Sequence, residues 1–376
     1  MVRVLVASDK FKGSLTAAEV AAAVSAGMRR GRPGVVVDAI PVADGGDGTL
    51  AAAESAGFTL VPVTVTGPTG SPVRTAYARR DDIAVVELAD AAGLARLPGP
   101  PDPLGASSLG AGQAMAAAID AGCHRVVLGI GGSASTDGGA GLLRGLGARL
   151  LTASGAPAPD GGAGLEQVAR LDLAALRRRI EGVEITVACD VDNPLTGPRG
   201  AAAVYGPQKG ADPDHVRRLD AALAHWADVV AAEQGSDLRD HPGAGAAGGV
   251  GFAALALLGA ELRSGIDLVL ELVDFASALD GAALVITGEG ALDEQTLHGK
   301  APAGVAASAA RAGVPVVAVC GVNHLDHDRL RAAGIGAAYA LVDIEPDLSR
   351  CLNNGAALLE QIAERIATDH LIKEEA

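Results

Sequence analysis

Hydrophobic and polar positions along this chain switch repeatedly between a strand-like run and a helical period. Val2–Ala7 is a short valine-rich run closed by Ser8 and Asp9, the pattern of a buried strand. Thr16-Ala-Ala-Glu19 then has the spacing of a capping box, Val20, Val24 and Met28 recur every four residues, and Gly31 with Pro33 stops the helix. The next apolar run, Val35–Val42, ends in ADGGDGT. Together these predict a βαβ start with a right-handed crossover and a parallel sheet.

The same grammar returns near the C-terminus. Leu284–Thr287 reads as a strand ending in GEGALDEQ, Pro302 opens a helix that closes at Gly313, and Val314–Cys320 follows as a strand. Ala337–Val342 adds one more strand and Ala356–Thr368 a closing helix. Two strands at one end and three at the other predict a five-stranded, doubly wound, flavodoxin-like α/β sheet from residues 1–62 and 281–376. The middle, 63–280, is then a second, inserted α/β domain. Within and just ahead of it, Thr59–Val65 and Val73–Leu88 read as strands around a GPTGSP turn. Ser108–Ala121 reads as a helix before the strand Arg125–Ile130 and the loop GGSASTDGGAG. Glu184–Ala188 is a strand ending in CDVDNP, Pro213–Gln234 a polar helix, and Phe252–Leu258 an apolar one.

Composition narrows the function. Of 376 residues, 49% are hydrophobic and 20% charged, which gives ample core for two domains. A net charge of −15 with 2% aromatics excludes a nucleic-acid or anionic-membrane partner, which needs a basic face. The chain starts directly in a strand and its longest uncharged run, Pro242–Ala260, is too broken by glycine for a bilayer span. Cys123, Cys189, Cys320 and Cys351 make no CxxC, so a reducing, cytoplasmic location is expected. No pattern in the chain assigns an oligomeric state.

The basic residues carry more information. Only five are Lys, and four of those stand in Gly/Asp-rich segments: Lys10 and Lys12 in SDKFKGS, Lys209 in GPQKGA and Lys300 in LHGKAP. A compact ammonium on a flexible stem suits point contact with a phosphate. Lys10, Lys12 and Ser14 precede the capped helix and Lys300 precedes the helix of Pro302, positions that favour an anion. Asp9, Asp44, Asp47, Asp137, Asp190, Asp192, Glu289 and Asp293 all stand at strand ends or in glycine loops. A single such Asp is ordinarily a turn or cap residue. The set, with its lysines, points to phosphoryl transfer, in which cations neutralise phosphates and a carboxylate accepts a hydroxyl proton.

Other chemistries fit less well. No GxxxxGK[ST] is present, so a P-loop is excluded. Gly243-Ala-Gly245-Ala-Ala-Gly248 follows a polar helix, which weakens a dinucleotide reading in which an NAD-dependent hydroxyacid dehydrogenase would use this loop. A non-catalytic nucleotide-binding protein is the other alternative. Ser133 in GGSAS lacks the second glycine of a hydrolase elbow, and His324 with His327 has no third metal ligand in sight.

SDKFKGSL (Ser8–Leu15), ADGGDGT (Ala43–Thr49), GIGGSASTDGGAG (Gly129–Gly141), CDVDNPLTGPRGAA (Cys189–Ala202), GPQKGA (Gly206–Ala211), PGAGAAGGVG (Pro242–Gly251) and TGEGALDEQTLHGKAP (Thr287–Pro302) follow in family order. In them the chain resembles the bacterial glycerate kinases of the two-domain type unrelated to P-loop kinases. That resemblance implies ATP-dependent phosphorylation of D-glycerate to 2-phosphoglycerate, with 3-phosphoglycerate the lesser alternative, in a cleft between two α/β domains. On that reading Lys10, Lys12, Ser14, Lys209 and Lys300 would contact phosphates or the substrate carboxylate, and Asn193 and Gln208 would orient the substrate. Asp190 would be the general base, with Asp44 its rival, and Asp47, Glu289 and Asp293 would hold Mg²⁺. Gly131, Gly132, Ser133 and Asp137, with Gly243, Gly245 and Gly248, would meet the nucleotide.

Overall fold

A computed structural model describes residues 2–371 of the chain; Lys373 lies outside them. The chain divides into two compact units, Met1–Asp44 with Ala51–Ala56 and Gly265–Ala376, and Gly45–Leu50 with Gly57–Ser264. In chain order the strands are β1 (Arg3–Ser8) and β2 (Val36–Ala39), then β3 (Thr59–Thr66), β4 (Pro72–Arg80), β5 (Ile83–Glu87), β6 (Arg125–Gly129), β7 (Arg149–Leu151), β8 (Arg170–Asp172), β9 (Glu184–Ala188) and β10 (Glu261–Arg263). The last three are β11 (Leu284–Leu292), β12 (Val316–Asn323) and β13 (Ala337–Ala340).

In the first unit the order is β13-β12-β11-β1-β2, with every neighbouring pair parallel. Read from β2 this is the doubly wound flavodoxin-like order. Val4, Val6, Leu284 and Ile286 face one core and Leu5, Ala7 and Val285 the other, because successive side chains alternate across a strand. The helix Ala17–Gly31 starts where its capping box places it: Glu19 N donates to Thr16 Oγ1 at 3.2 Å and Thr16 N to Glu19 Oε2 at 2.8 Å. Gly31 ends this helix, and with Gly27 it also lets the helix Leu348–Leu371 approach. A Cβ on Gly27 would lie 2.1 Å from the Glu360 carbonyl oxygen, and one on Gly31 2.5 Å from that of Glu364.

The second unit has a six-stranded sheet, β10-β9-β6-β5-β4-β3, parallel from β10 to β5 and antiparallel beyond, plus the hairpin β7-β8. Its core is built largely of Ala, Leu and Val around the fully buried Trp226. Two details differ from the sequence pattern. The run 73–88 is two strands, since Asp81 takes φ 55° and turns the chain between β4 and β5. The four charged residues Arg79–Asp82 mark this turn in the sequence, between the apolar positions of β4 and β5. The expected boundary at 62 would also cut β3, which pairs with β4 along its whole length from Thr59 to Thr66. At the other boundary Ile266, Val269 and Phe275 pack into the first unit's core with Val285 and Val305. Among the described residues no helix is long and apolar enough to cross a membrane, and all four cysteines are free thiols.

Candidate active site

In the first unit the candidate residues gather where the strand order reverses, at the carboxyl ends of β1 and β11. Asp9 N donates to the Gly288 carbonyl at 2.9 Å and Ser8 Oγ to the same oxygen at 3.0 Å, which locks the two strand ends together. Asp9 Oδ1 accepts the Lys10 amide at 2.6 Å and lies 3.9 Å from Lys10 Nζ. Burial pushes the Asp9 carboxyl up to about 7; the Lys10 charge opposes this, while Asp44 and Glu289 add to it. Glu289, in β11, is 9% exposed. Its Oε1 accepts from the buried Thr296 hydroxyl and its Oε2 lies 3.6 Å from Lys300 Nζ. Burial raises the pKa of Glu289, with Thr296 and Lys300 opposing and Asp293 and Asp44 adding. This part of the site thus brings three mutually repelling carboxylates together with two lysines.

The flanking residues have defined places. Lys300 is the N-cap of the helix Ala301–Arg311, whose first turn holds the expected Pro302. Asp293 Oδ1 accepts from the Gln295 and Thr296 amides at 2.9 and 3.3 Å, a turn that fixes Thr296 under Glu289. Lys12 is exposed, whereas Ser14 donates its hydroxyl to the Leu352 carbonyl at 2.8 Å and ties the loop to the last helix.

In the second unit the candidate loops stand at the carboxyl ends of the parallel strands β5, β6 and β9. The segment Gly45–Leu50 lies against the loop after β6: Gly131 N donates to the Gly45 carbonyl at 3.3 Å, and a Cβ on Gly131 would meet Gly46 Cα at 2.6 Å. The absence of a side chain here permits backbone on backbone. Gly132, at φ 71°, is exposed, and a Cβ on it would lie 3.2 Å from Asp47 Oδ1. Asp190 is exposed at the end of β9, and Gln208 is exposed in the turn Pro207–Lys209.

Four expectations change in this unit. Lys209 is 2% exposed: its ammonium lies beneath the loop, donating to Ser133 Oγ at 2.8 Å and to the Ser135 carbonyl, so it is not placed to meet a phosphate directly. Burial pulls its pKa down to about 7, partly offset by Asp137. Asp137 is fully buried, and its carboxylate accepts Ser108 N and Oγ at 2.8 and 2.9 Å and the Gly139 and Gly141 amides at 3.2 Å. It organises the loop from within, as a buried carboxylate must when it gives up water. The Asn193 amide is engaged at both ends, accepting from Tyr205 OH at 2.6 Å and donating to the Arg199 carbonyl at 2.8 Å, and so shapes its own turn. Gly243, Gly245 and Gly248 are buried against their own chain. A Cβ on Gly245 would meet the Pro194 carbonyl oxygen at 2.2 Å, and one on Gly248 that of Ser135 at the same distance. This glycine run joins two helices with no strand before it, which removes the structural basis of a dinucleotide fingerprint.

Glu87 carried no such signal in the sequence, because it ends β5 between Val86 and Leu88 with no glycine loop after it. It is 6% exposed and pairs in register with Gly129, and its Oε2 accepts the Leu50 amide at 3.0 Å. Burial pushes its carboxyl up to about 7, with Leu50 opposing and Asp47 and Asp90 adding. Among the described residues no three His, Cys, Asp or Glu side chains form a metal cage, His324 and His327 included.

The family model described as the Glycerate kinase family matches residues 4–371. The "Glycerate kinase" of Bacillus subtilis (strain 168) is 44% identical over 369 residues, covering 97% of each chain. The "Glycerate 2-kinase" of Escherichia coli (strain K12) is 40% identical over 351 residues, covering 90% of each. The crystal structure of a provisionally assigned glycerate kinase 2 from Salmonella typhimurium LT2 is 41% identical, covers 98% of both chains and superposes with a TM-score of 0.84. The chain belongs to the Glycerate kinase family and is an enzyme, a kinase.

Proposed function

We propose that this kinase transfers the γ-phosphoryl group of ATP to the 2-hydroxyl of D-glycerate, giving 2-phosphoglycerate. The observation that supports it most is the grouping of Lys10 and Lys300 with Asp9, Asp44 and Glu289 at the strand-order reversal of a doubly wound sheet. Such a position receives ligands in open α/β sheets. The name of the Escherichia coli relative supports the 2-position.

In this reading Lys10, Lys12 and Lys300 neutralise phosphate oxygens and the substrate carboxylate, and Gly131-Gly132-Ser133 offers backbone amides to the nucleotide. Asp190, exposed at the end of β9, takes the proton of the attacking hydroxyl. Asp9 carries a specific argument as its rival, because its burial gives it a proton affinity near neutral. Asp44 acts on the charge of Asp9 and Glu289, and Gln208 on the substrate.

Mg²⁺ takes oxygen ligands and is held by one or two carboxylates together with substrate phosphates, so it needs no preformed cage. Glu289 and Asp293, and Asp47 in the second unit, are hard oxygen donors that fit that requirement. Bound there, the ion would neutralise charge on the transferring phosphoryl group. A cytoplasmic setting belongs to the same proposal.

The test is a ³¹P NMR spectrum of the products from ATP, Mg²⁺ and D-glycerate. A phosphomonoester on C2 is expected, formed with ADP only when glycerate and the divalent ion are both present. ADP release without glycerate would overturn the kinase reading for this substrate, and phosphate on C3 would overturn the position.

A further inference from the structure

The buried lysine under the loop after β6 invites a physical question. Removing an ammonium from water costs several kcal/mol, and a buried ionic group is often replaced by an apolar one with no loss of stability. Packing alone therefore asks for Met or Leu at 209. What an amine adds over a methylene chain is directed donors, and Lys209 uses two, on Ser133 Oγ at 2.8 Å and on the Ser135 carbonyl.

That carbonyl is crowded from a second element as well. Gly248 presses against it so closely that a Cβ there would stand 2.2 Å from the oxygen. The rest of the loop is pinned from other elements: Leu94 N donates to the Gly132 carbonyl at 3.0 Å, Ala134 N to Ala92 at 3.1 Å, and Trp226 Nε1 to Gly138 at 3.0 Å. Asp137 gathers the Ser108, Gly139 and Gly141 amides beneath it. Of residues 131–137 only Gly131 and Gly132 reach the surface, and Ser133, the residue that Lys209 holds, comes directly after them.

We propose that Lys209 is a positioning residue for the nucleotide: from inside the second unit it holds Ser133 and Ser135, and so sets the orientation in which Gly131 and Gly132 present their backbone to phosphate. The claim rests on the proposed reading of this loop as the nucleotide loop. It replaces the expectation that Lys209 touches phosphate itself, and it explains a lysine at a place where packing favours an apolar residue.

The experiment compares wild type, Lys209→Met, Ser133→Ala and the double variant by KM for ATP, KM for D-glycerate, kcat and thermal midpoint. Lys209→Met is expected to raise KM for ATP about tenfold and to leave KM for glycerate within about twofold, the split that marks lost nucleotide binding. Ser133→Ala is expected to raise KM for ATP in the same direction, and the double variant to be no worse than Lys209→Met, because the two act through one contact. A folded Lys209→Met enzyme with wild-type KM for ATP overturns the proposal. So does an additive double variant, or a loss spread evenly over both substrates in step with a lower midpoint, which would mean that the lysine only holds the fold. Should Lys209→Met fail to fold, Ser133→Ala decides by itself, and an unchanged KM for ATP overturns the claim. If wild type phosphorylates no glycerate, the functional reading fails separately, and calorimetric binding of ATP to wild type and Lys209→Met takes the place of KM. Equal affinities, or no binding to either, then overturn the positioning role.

Discussion

Lys10 Nζ lies 3.9 Å from Asp9 Oδ1, and the same oxygen accepts the Lys10 amide at 2.6 Å. One carboxylate therefore orients both the backbone and the ammonium of the residue proposed to meet phosphate. Its attraction for the ammonium requires the ionised form, and burial beside Asp44 and Glu289 moves that ionisation up to about 7.

Activity should follow this titration. As pH falls through about 7, Asp9 takes up a proton, Lys10 loses its anchor, and kcat/KM should fall in proportion to the protonated fraction. Asp9→Asn, a mimic of the protonated form, is expected to be weak at every pH and to show no such limb. Lys10→Ala removes the group that Asp9 orients, so its lower activity should also lack this limb. A wild-type profile flat from pH 5.5 to 8 (about the span that a group near 7 must control) would refute this role for Asp9.

Lys10→Ala should also lower turnover while the protein stays folded. Loss of a charge-assisted phosphate contact in the transition state costs roughly 2–4 kcal/mol, on the order of 10²-fold or more in rate. Near wild-type turnover in a folded variant would make Lys10 an ordinary surface lysine.

Asp190→Asn keeps the shape of the side chain and removes the base. Turnover is expected to drop by roughly 10²–10⁴-fold while ATP still binds. Asp44→Asn, in the crowded carboxylate group, should weaken binding at least as much as turnover. Steady-state kinetics and calorimetric ATP binding separate the two, and a reversed pattern would transfer the proton to another carboxylate.

Glu87 makes a prediction about stability. Its carboxyl is raised from 4.5 to about 7 in the folded state, so the unfolded chain gives up that proton at lower pH. The contribution of Glu87 is fully present below 4.5 and lost as pH rises through about 7. Glu87→Gln, which can still accept the Leu50 amide, should flatten that part of the decline in thermal midpoint. An identical slope in wild type and variant across this window would show that Glu87 does not titrate there.

The local signals in the chain determined a good part of the architecture. The capping box at Thr16, the proline at the start of the helix Ala301–Arg311, the β9 strand and the helix Pro213–Gln234 all stand where short-range pattern places them, because each depends on residues within a few positions of one another. The gathering of Lys10 and Lys300 with Asp44 and Glu289 was also legible, since glycine and carboxylate at strand ends are local marks. What only the tertiary structure decided is what each group touches and how much water it keeps. The same GPQKGA that reads as a loop lysine sends Lys209 inward to Ser133, 76 residues away in sequence. Asp137 and the glycines at 243, 245 and 248 carry the signature of a ligand loop, yet Asp137 hydrogen-bonds its own loop from within and the glycines serve close packing against backbone. Asp9 and Glu87 acquire proton affinities near neutral only through burial and the charges packed beside them. Desolvation and close contact are properties of the folded surroundings, and no local pattern encodes which distant residues will supply them.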